Sequence, residues 1–397
     1  MHKSLILIAC LALCLGTAGA QVAKPGDLLV AGGAGSVASA VFAVTPFANT
    51  FTTIAIFPGA IRGVAVGADN TDYYVASGLD LFHTTPAGVV TTVVAALAPG
   101  VGTCWNDLDE DGQILTGTGW AGAGGLFRVD PATGLYVTLM SGIFPNAFAL
   151  DRDSGDIIVG ETTSAKLLRI KRDGTIVTVA NALSTTYALD YHFLRGEAII
   201  ANNSILYRLD PLGGIHTFAT GSGLVKSLAV LANGDVAAGP HGTTIRLYDL
   251  NGTAKGTIYS GASFNKMCMV VEDEHNLWGL NAPWIGGVFN LSIRFAGQPG
   301  KAYAVAAALS NRPGIRIGGK VIPVNPDNLF FLSQVSPVIF NRFLGVLDNH
   351  GRSSAYIVLP KVLAIRGIRV FLAAVVIDPA APGGIAEVSQ PYGATIQ

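Results

Sequence analysis

The densest set of oxygen-bearing side chains in this sequence is Asn106-Asp107-Leu108-Asp109-Glu110-Asp111-Gly112. Carboxylates at 107, 109 and 111 alternate and Gly112 permits a tight turn, the pattern that opens a calcium loop. The closing half is missing, because Leu115 and Thr118 stand at the two late ligand positions. The bland alternative is an Asp/Gly hairpin, with counterparts at Asp151-Asp153-Gly155 and Asn233-Gly234-Asp235. Asn106, Asp107, Asp109 and Asp111 are therefore the candidate metal residues. Calcium or another divalent ion is the one cofactor left open, and no other is expected.

Other chemistry finds less footing. His83, His192, His216, His241, His275 and His350 form no H-x-H or HExxH pair. No G-x-S-x-G elbow is present. Gly33-Ala34-Gly35 and Gly122-Ala123-Gly124-Gly125 lead into no helix that could receive a phosphate. Arg128, Arg169 and Arg208 recur at one strand position, either as a ring of cations for an anionic ligand or, the preferred reading, as a surface row paired with Asp on neighbouring strands.

The elements that carry these residues repeat. Leu126-Phe127-Arg128-Val129-Asp130, Leu167-Leu168-Arg169-Ile170-Lys171 and Leu206-Tyr207-Arg208-Leu209-Asp210 are the clearest copies of one strand. Anchors at 42, 82, 127, 168, 207, 247 and 289 step by 39 to 45 residues. Within residues 146–183, four short β-branched or aromatic strands alternate with Asp/Gly turns. Four such strands make one blade of a β-propeller. Seven copies of the second and third strand types favour seven blades, and six copies of the first and fourth allow six. An incomplete repeat at each end suits a ring whose ends share a blade.

The period breaks after Gln298-Pro299-Gly300. Strand-like runs at 302–309, 329–333, 338–347, 354–359, 367–377 and 385–388 fit a small β-sandwich. The expected organisation is all-β: a signal peptide at 1–20, a β-propeller at 21–297 and a C-terminal β-sandwich at 298–397. Lys3, the apolar run Leu5 to Leu15 and the small residues Ala18-Gly19-Ala20 give the signal its three parts, with Gln21 as the mature N-terminus. Cys104 and Cys268 remain after cleavage and are expected as free thiols in distant blades.

Two resemblances add to this. Asn106-Asp107, Gly112 and Gly117-Thr118 resemble a segment of the gluconolactonase/senescence-marker family of propellers. That resemblance implies a central divalent metal with Asn106 at the matching ligand position, and a lactonase or lyase activity. The sequence departs from the family at Lys226-Ser227-Leu228-Ala229, where Asn-Gly-Leu-Ala is usual. The stretches 323–330, 343–352 and 367–379 resemble a C-terminal sandwich module of planctomycete-type secreted proteins, which implies export and a non-catalytic accessory role.

With a net charge of −1, 13% charged residues and no basic cluster, the sequence offers nothing to a nucleic acid. No run outside the signal is long and apolar enough to span a bilayer. The expectation is a monomer, secreted, periplasmic or on the cell surface, that binds an extracellular glycan, protein or small molecule without catalysis. The alternative is the metal-dependent lactonase.

Overall fold

The computed structural model describes residues 27–32, 39–45, 48, 50–57, 61–67, 72–78, 80–85, 88–97, 102–109, 111–119, 124–162, 164–181, 183, 185–231, 234–240, 242–264, 269–271, 276–295 and 297–397. The signal segment and Cys268 lie outside these residues. The protein is built almost entirely of antiparallel strands. Blade 2 comprises Ile61–Val66, Tyr73–Ser77, Asp80–Thr84 and Val90–Val94, counted from the inner strand outward. Blades 3, 4, 5 and 6 repeat the order from Gly102–Leu108, Pro145–Asp151, Thr186–His192 and Val225–Val230. Each inner strand packs beside the inner strand of the next blade, and the series closes on itself.

Blade 1 is assembled from both ends of the ring. Its outer three strands are Leu28–Gly32, Ser39–Thr45 and Thr50–Phe57. Its inner strand is Met269–Val271, which pairs antiparallel with Leu28, Leu29 and Val30. The shared end blade read from the incomplete repeats is present. The ring counts six four-stranded blades among the described residues, the smaller of the two expected numbers.

The seventh copy of the repeat belongs elsewhere. Leu277–Gly279 and Val288–Arg294 pair with each other, and Val288–Arg294 pairs along its whole length with Arg352–Val358. A half-buried strand alternates in the same way wherever it lies, so the pattern alone did not reveal this partner. We therefore place the division of the chain between residues 271 and 277 rather than at 297. The sheet holding these strands faces a second one, built on Ala302–Ala308 and Arg369–Ile377. Phe289, Leu291, Ile293, Ala355 and Ile357 from the first meet Tyr303, Val305, Leu372 and Ala374 from the second in one core. This is the two-layer packing of a sandwich.

One expected strand is a helix. Leu329-Phe330-Phe331-Leu332 sits in Asn328–Val335, started by Asp327, whose side chain accepts from Phe330 N at 3.0 Å. The helix lies along the edge of Ala302–Ala308 beyond Ala304, where the pairing with Leu344–Val346 ends. There Ser333 Oγ accepts from Ala307 N and Gln334 Nε2 donates to Val305 O. Those side chains satisfy backbone groups that a missing neighbour strand would leave bare.

The sandwich is seated across one end of the ring, where the first strand of each blade turns into the second. Ala65 and Leu108 of blades 2 and 3 share the core of Trp278 and Tyr392. Further round, the Asp153 carboxylate of blade 4 accepts from Arg312 and Asn311 of the sandwich and from the hydroxyl of Tyr191 in blade 5. Arg312 Nη1 also reaches Arg195 O at 2.7 Å, and Arg369 Nη2 reaches Arg152 O at 2.8 Å. Burial, followed by the charges of Asp151 and Asp153, pushes the Tyr191 hydroxyl well above the ordinary phenol range, so it stays a donor.

Candidate functional site

Two regions could act on another molecule: the turn at 106–112 and the opposite end of the ring. Asn106 and Asp107 lie in the inner strand Gly102–Leu108, paired with Thr116 and Leu115, and their side chains are outside the described set. Asp109 is buried and its Oδ1 accepts from Asp111 N and Gln113 N, both at 2.9 Å. Its Oδ2 lies 2.6 Å from Arg128 Nε, an ion pair set off the N–H axis so that neither atom completes a hydrogen bond. Asp111 is exposed.

The same construction recurs one blade on. Asp151 Oδ1 accepts from Asp153 N at 3.0 Å, and its Oδ2 lies 2.7 Å from Arg169 Nη1. Arg208 lies 3.6 Å from Glu197, and His83 lies 2.9 Å from Asp72, at equivalent places in blades 5 and 2. The recurring cations are therefore a row of intra-blade ion pairs, as the preferred reading has it. An oxygen cage at Asp109 would have to compete with its own turn and with Arg128, so the described residues do not fit a calcium ion. No group of three or more His, Cys, Asp or Glu among the described residues could hold a metal.

Burial outweighs Arg128 and raises the Asp109 carboxyl from 3.8 to about 6. His192, at the end of the inner strand of blade 5, moves the other way. Burial, helped by the Arg195 charge, lowers it from 6.5 to about 4. The contribution of Asp109 to stability is full below pH 3.8 and is lost as pH rises through about 6. That of His192 is full above pH 6.5 and is lost as pH falls through about 4. The two oppose each other across nearly the same window. Relative to wild type, His192→Phe should gain about 3 kcal/mol between neutral pH and pH 4, and Asp109→Asn should lose a similar amount. Urea melts at a series of pH values would show parallel curves if neither group titrates there.

The second region emerges from the strand register. In five inner strands one residue is skipped in the pairing with the second strand: position 62, 105, 146, 187 or 226. Bulges of this kind re-aim a side chain and gather next to binding sites. The residues are Arg62, Trp105, Asn146, Tyr187 and Lys226: two cations, two aromatics and an amide, with no carboxylate. The side chains of Arg62 and Trp105 are outside the described set. The other three are half-exposed and form a linked arc. Asn146 Nδ2 donates across the blade gap to Thr186 O at 2.6 Å, and Lys226 Nζ lies 3.5 Å above the Tyr187 ring. Small residues follow the bulges, with Ala147, Ala188 and Ser227 fully buried where the inner strands crowd the axis. A Cβ on the adjacent Gly160 would lie 2.6 Å from Thr186 Cβ.

This collar lies at the end of the ring away from the sandwich. It was missed in the sequence, yet its signal is there: the bulged residues are 39 to 43 apart, and four of the five are followed by Gly, Ala or Ser. Trp278, by contrast, is buried in the sandwich against Tyr392.

No protein-family model and no curated protein matches the sequence. Among solved structures, a chain of a nidogen/laminin complex is similar with a TM-score of 0.52 and 12% identity, over 62% of this chain and 98% of that one. A gluconolactonase from Xanthomonas campestris is similar at 0.45 and 15% identity, over 60% of this chain and 90% of that one. The calcium-binding protein regucalcin from Agrobacterium tumefaciens is similar at 0.44 and 16% identity, over 62% and 92%. At these identities the likeness extends to the propeller fold alone. No helix among the described residues is long and apolar enough to cross a membrane.

Proposed function

We propose that this chain is an exported, non-enzymatic binding module that engages an extracellular glycan at the bulged collar. The observation that carries the reading is the repetition of one register shift in five inner strands, at the end of the ring that the sandwich leaves uncovered. Aromatic side chains beside cations suit the faces and acidic groups of a charged sugar chain. The signal segment supports export. The lactonase reading draws no support from the donor set at 106–112, where the buried Asp109 carboxylate serves a turn and an arginine.

A glycan array probed with the labelled mature protein tests this. Binding should favour anionic glycans and fall at least about tenfold in Tyr187→Ala and Lys226→Ala, the loss that corresponds to about 1.4 kcal/mol per contact. Retained binding in both variants, or hydrolysis of sugar lactones that depends on an added divalent ion, would sink the proposal.

A further inference from the structure

The second sheet of the sandwich ends on an open strand. Leu344–Val346 pairs with Ala302–Ala308 on one side and is the last strand of its sheet among the described residues. On the paired side Phe343 O accepts from Val305 N at 2.7 Å and Leu347 N donates to Lys301 O at 2.9 Å. By the alternation of an antiparallel ladder, the N–H and C=O groups of Leu344 and Val346 therefore face the open side. Native edges are blunted by charges, proline or cover. This one carries Leu344 and Val346, 63% and 64% exposed, and no charge between Arg342 and Asp348. We propose that a second copy of this chain covers it: two Leu344–Val346 strands pair antiparallel about a twofold axis at Gly345 and join two sheets into one.

The residues around Gly345 complement their own reverse order. In this register Leu344 of one copy stands opposite Val346 of the other, and the pair exchanges two backbone hydrogen bonds; the axis generates a second such pair. Both side chains lie on the outer face of the sheet, beside Ala304 and Ala302, so the new cross-strand contacts are apolar. Gly345 faces the core, where a Cβ would stand 2.7 Å from the Tyr303 hydroxyl oxygen, and no side chain separates the copies at the axis. Further out, the exposed Arg342 lies near the exposed Asp348 of the other copy, opposite charges at equal steps from the axis. Val335 and Val338, 73% and 83% exposed, stand on the segment that continues along the same edge. With Leu344 and Val346 they offer on the order of 500 Å² of apolar surface per copy, a large part of the roughly 800 Å² that one partner of a standard interface buries. The ring does not obstruct this edge. Asn311, Arg312 and Arg369, which hold the ring, lie at the opposite ends of Ala302–Ala308 and Arg369–Ile377.

Sedimentation velocity of the full mature protein from about 1 to about 100 μM tests the assignment. The sedimentation coefficient should rise from monomer to dimer across that range. Amide exchange at Leu344 and Val346 should slow with it, because those two N–H groups enter the new bonds. Val346→Lys and Arg342→Glu should each raise the dissociation constant at least tenfold, the second by setting like charges opposite each other, whereas Arg342→Lys should retain the dimer. Both positions are exposed, so the melting temperature at low concentration should not change. A monomer at every concentration overturns the proposal and leaves the state expected from the sequence. So does a dimer whose exchange protection appears away from 344–346, or one whose affinity neither variant alters. Tyr187→Ala and Lys226→Ala should leave dimerisation intact, which separates this test from glycan binding at the collar.

Discussion

Leu29→Asp should lower the melting temperature by on the order of 10 °C, corresponding to at least about 4 kcal/mol. Leu29 is fully buried and packs with Val41, Ala43, Val64 and Val75, across the gap between blades 1 and 2. Its backbone lies between two strands, opposite Ala43 on one side and Val270 on the other. A carboxylate there has no partner and loses its hydration, which costs several kcal/mol even after relaxation. It strikes the one strand that joins the two ends of the ring. The control is Leu212→Asp, at a turn residue 96% exposed, which should change stability by less than about 0.5 kcal/mol. Thermal melts followed by circular dichroism would decide; similar curves for both variants would mean that blade 1 does not close the ring.

Asp153→Ala should cost about 3 kcal/mol and loosen the sandwich from the ring. Asp153 is the hub of the contact: its carboxylate receives the Tyr191 hydroxyl at 2.6 Å as well as Arg312 and Asn311. Truncation strands a buried hydroxyl and a guanidinium together, and unpaired buried groups cost more than the bond they lose is worth. Asp153→Asn should recover part of the loss, since its remaining oxygen accepts while its amide opposes the Asn311 donor. Hydrogen exchange should rise in 191–196 and 310–314 in the alanine variant. Unchanged protection there would show that the seat is held by Ala65, Leu108 and Trp278 instead.

Much of this architecture was legible in the residues. The strand repeat gave the ring because every blade needs the same alternation of buried and turn residues. The Arg row was legible as cations paired with acids on neighbouring strands: Arg128 and Arg169 meet Asp109 and Asp151, whereas Arg208 meets Glu197 in place of the expected Asp. What stayed hidden depends on partners distant in sequence. Phe289 fits the ring's period, yet its strand pairs with Arg352–Val358, a choice made by tertiary packing. Leu329 to Leu332 alternate poorly and are all apolar, so the helix was visible only in its cap, Asp327, after Asn325-Pro326. The collar was hidden because a bulge is a property of pairing, although Arg62-Gly63, Asn146-Ala147, Tyr187-Ala188 and Lys226-Ser227 mark it in retrospect.

The inner strand of blade 1 carries a consequence for biogenesis. Its partners are about 240 residues apart in sequence, Val30 against Met269 at one end of the pairing. On a ribosome, blades 2 to 6 can each form from consecutive residues, whereas the inner edge of Leu28–Gly32 must wait for residue 271 to emerge. Bringing such distant ends together costs about 5 kcal/mol of chain entropy, a cost met only when the last strand arrives. Until then the nascent chain presents an unsealed three-stranded edge at its leading end. The order of synthesis therefore makes the last inner strand the seal of the ring, and a chain cut short before residue 269 cannot complete blade 1.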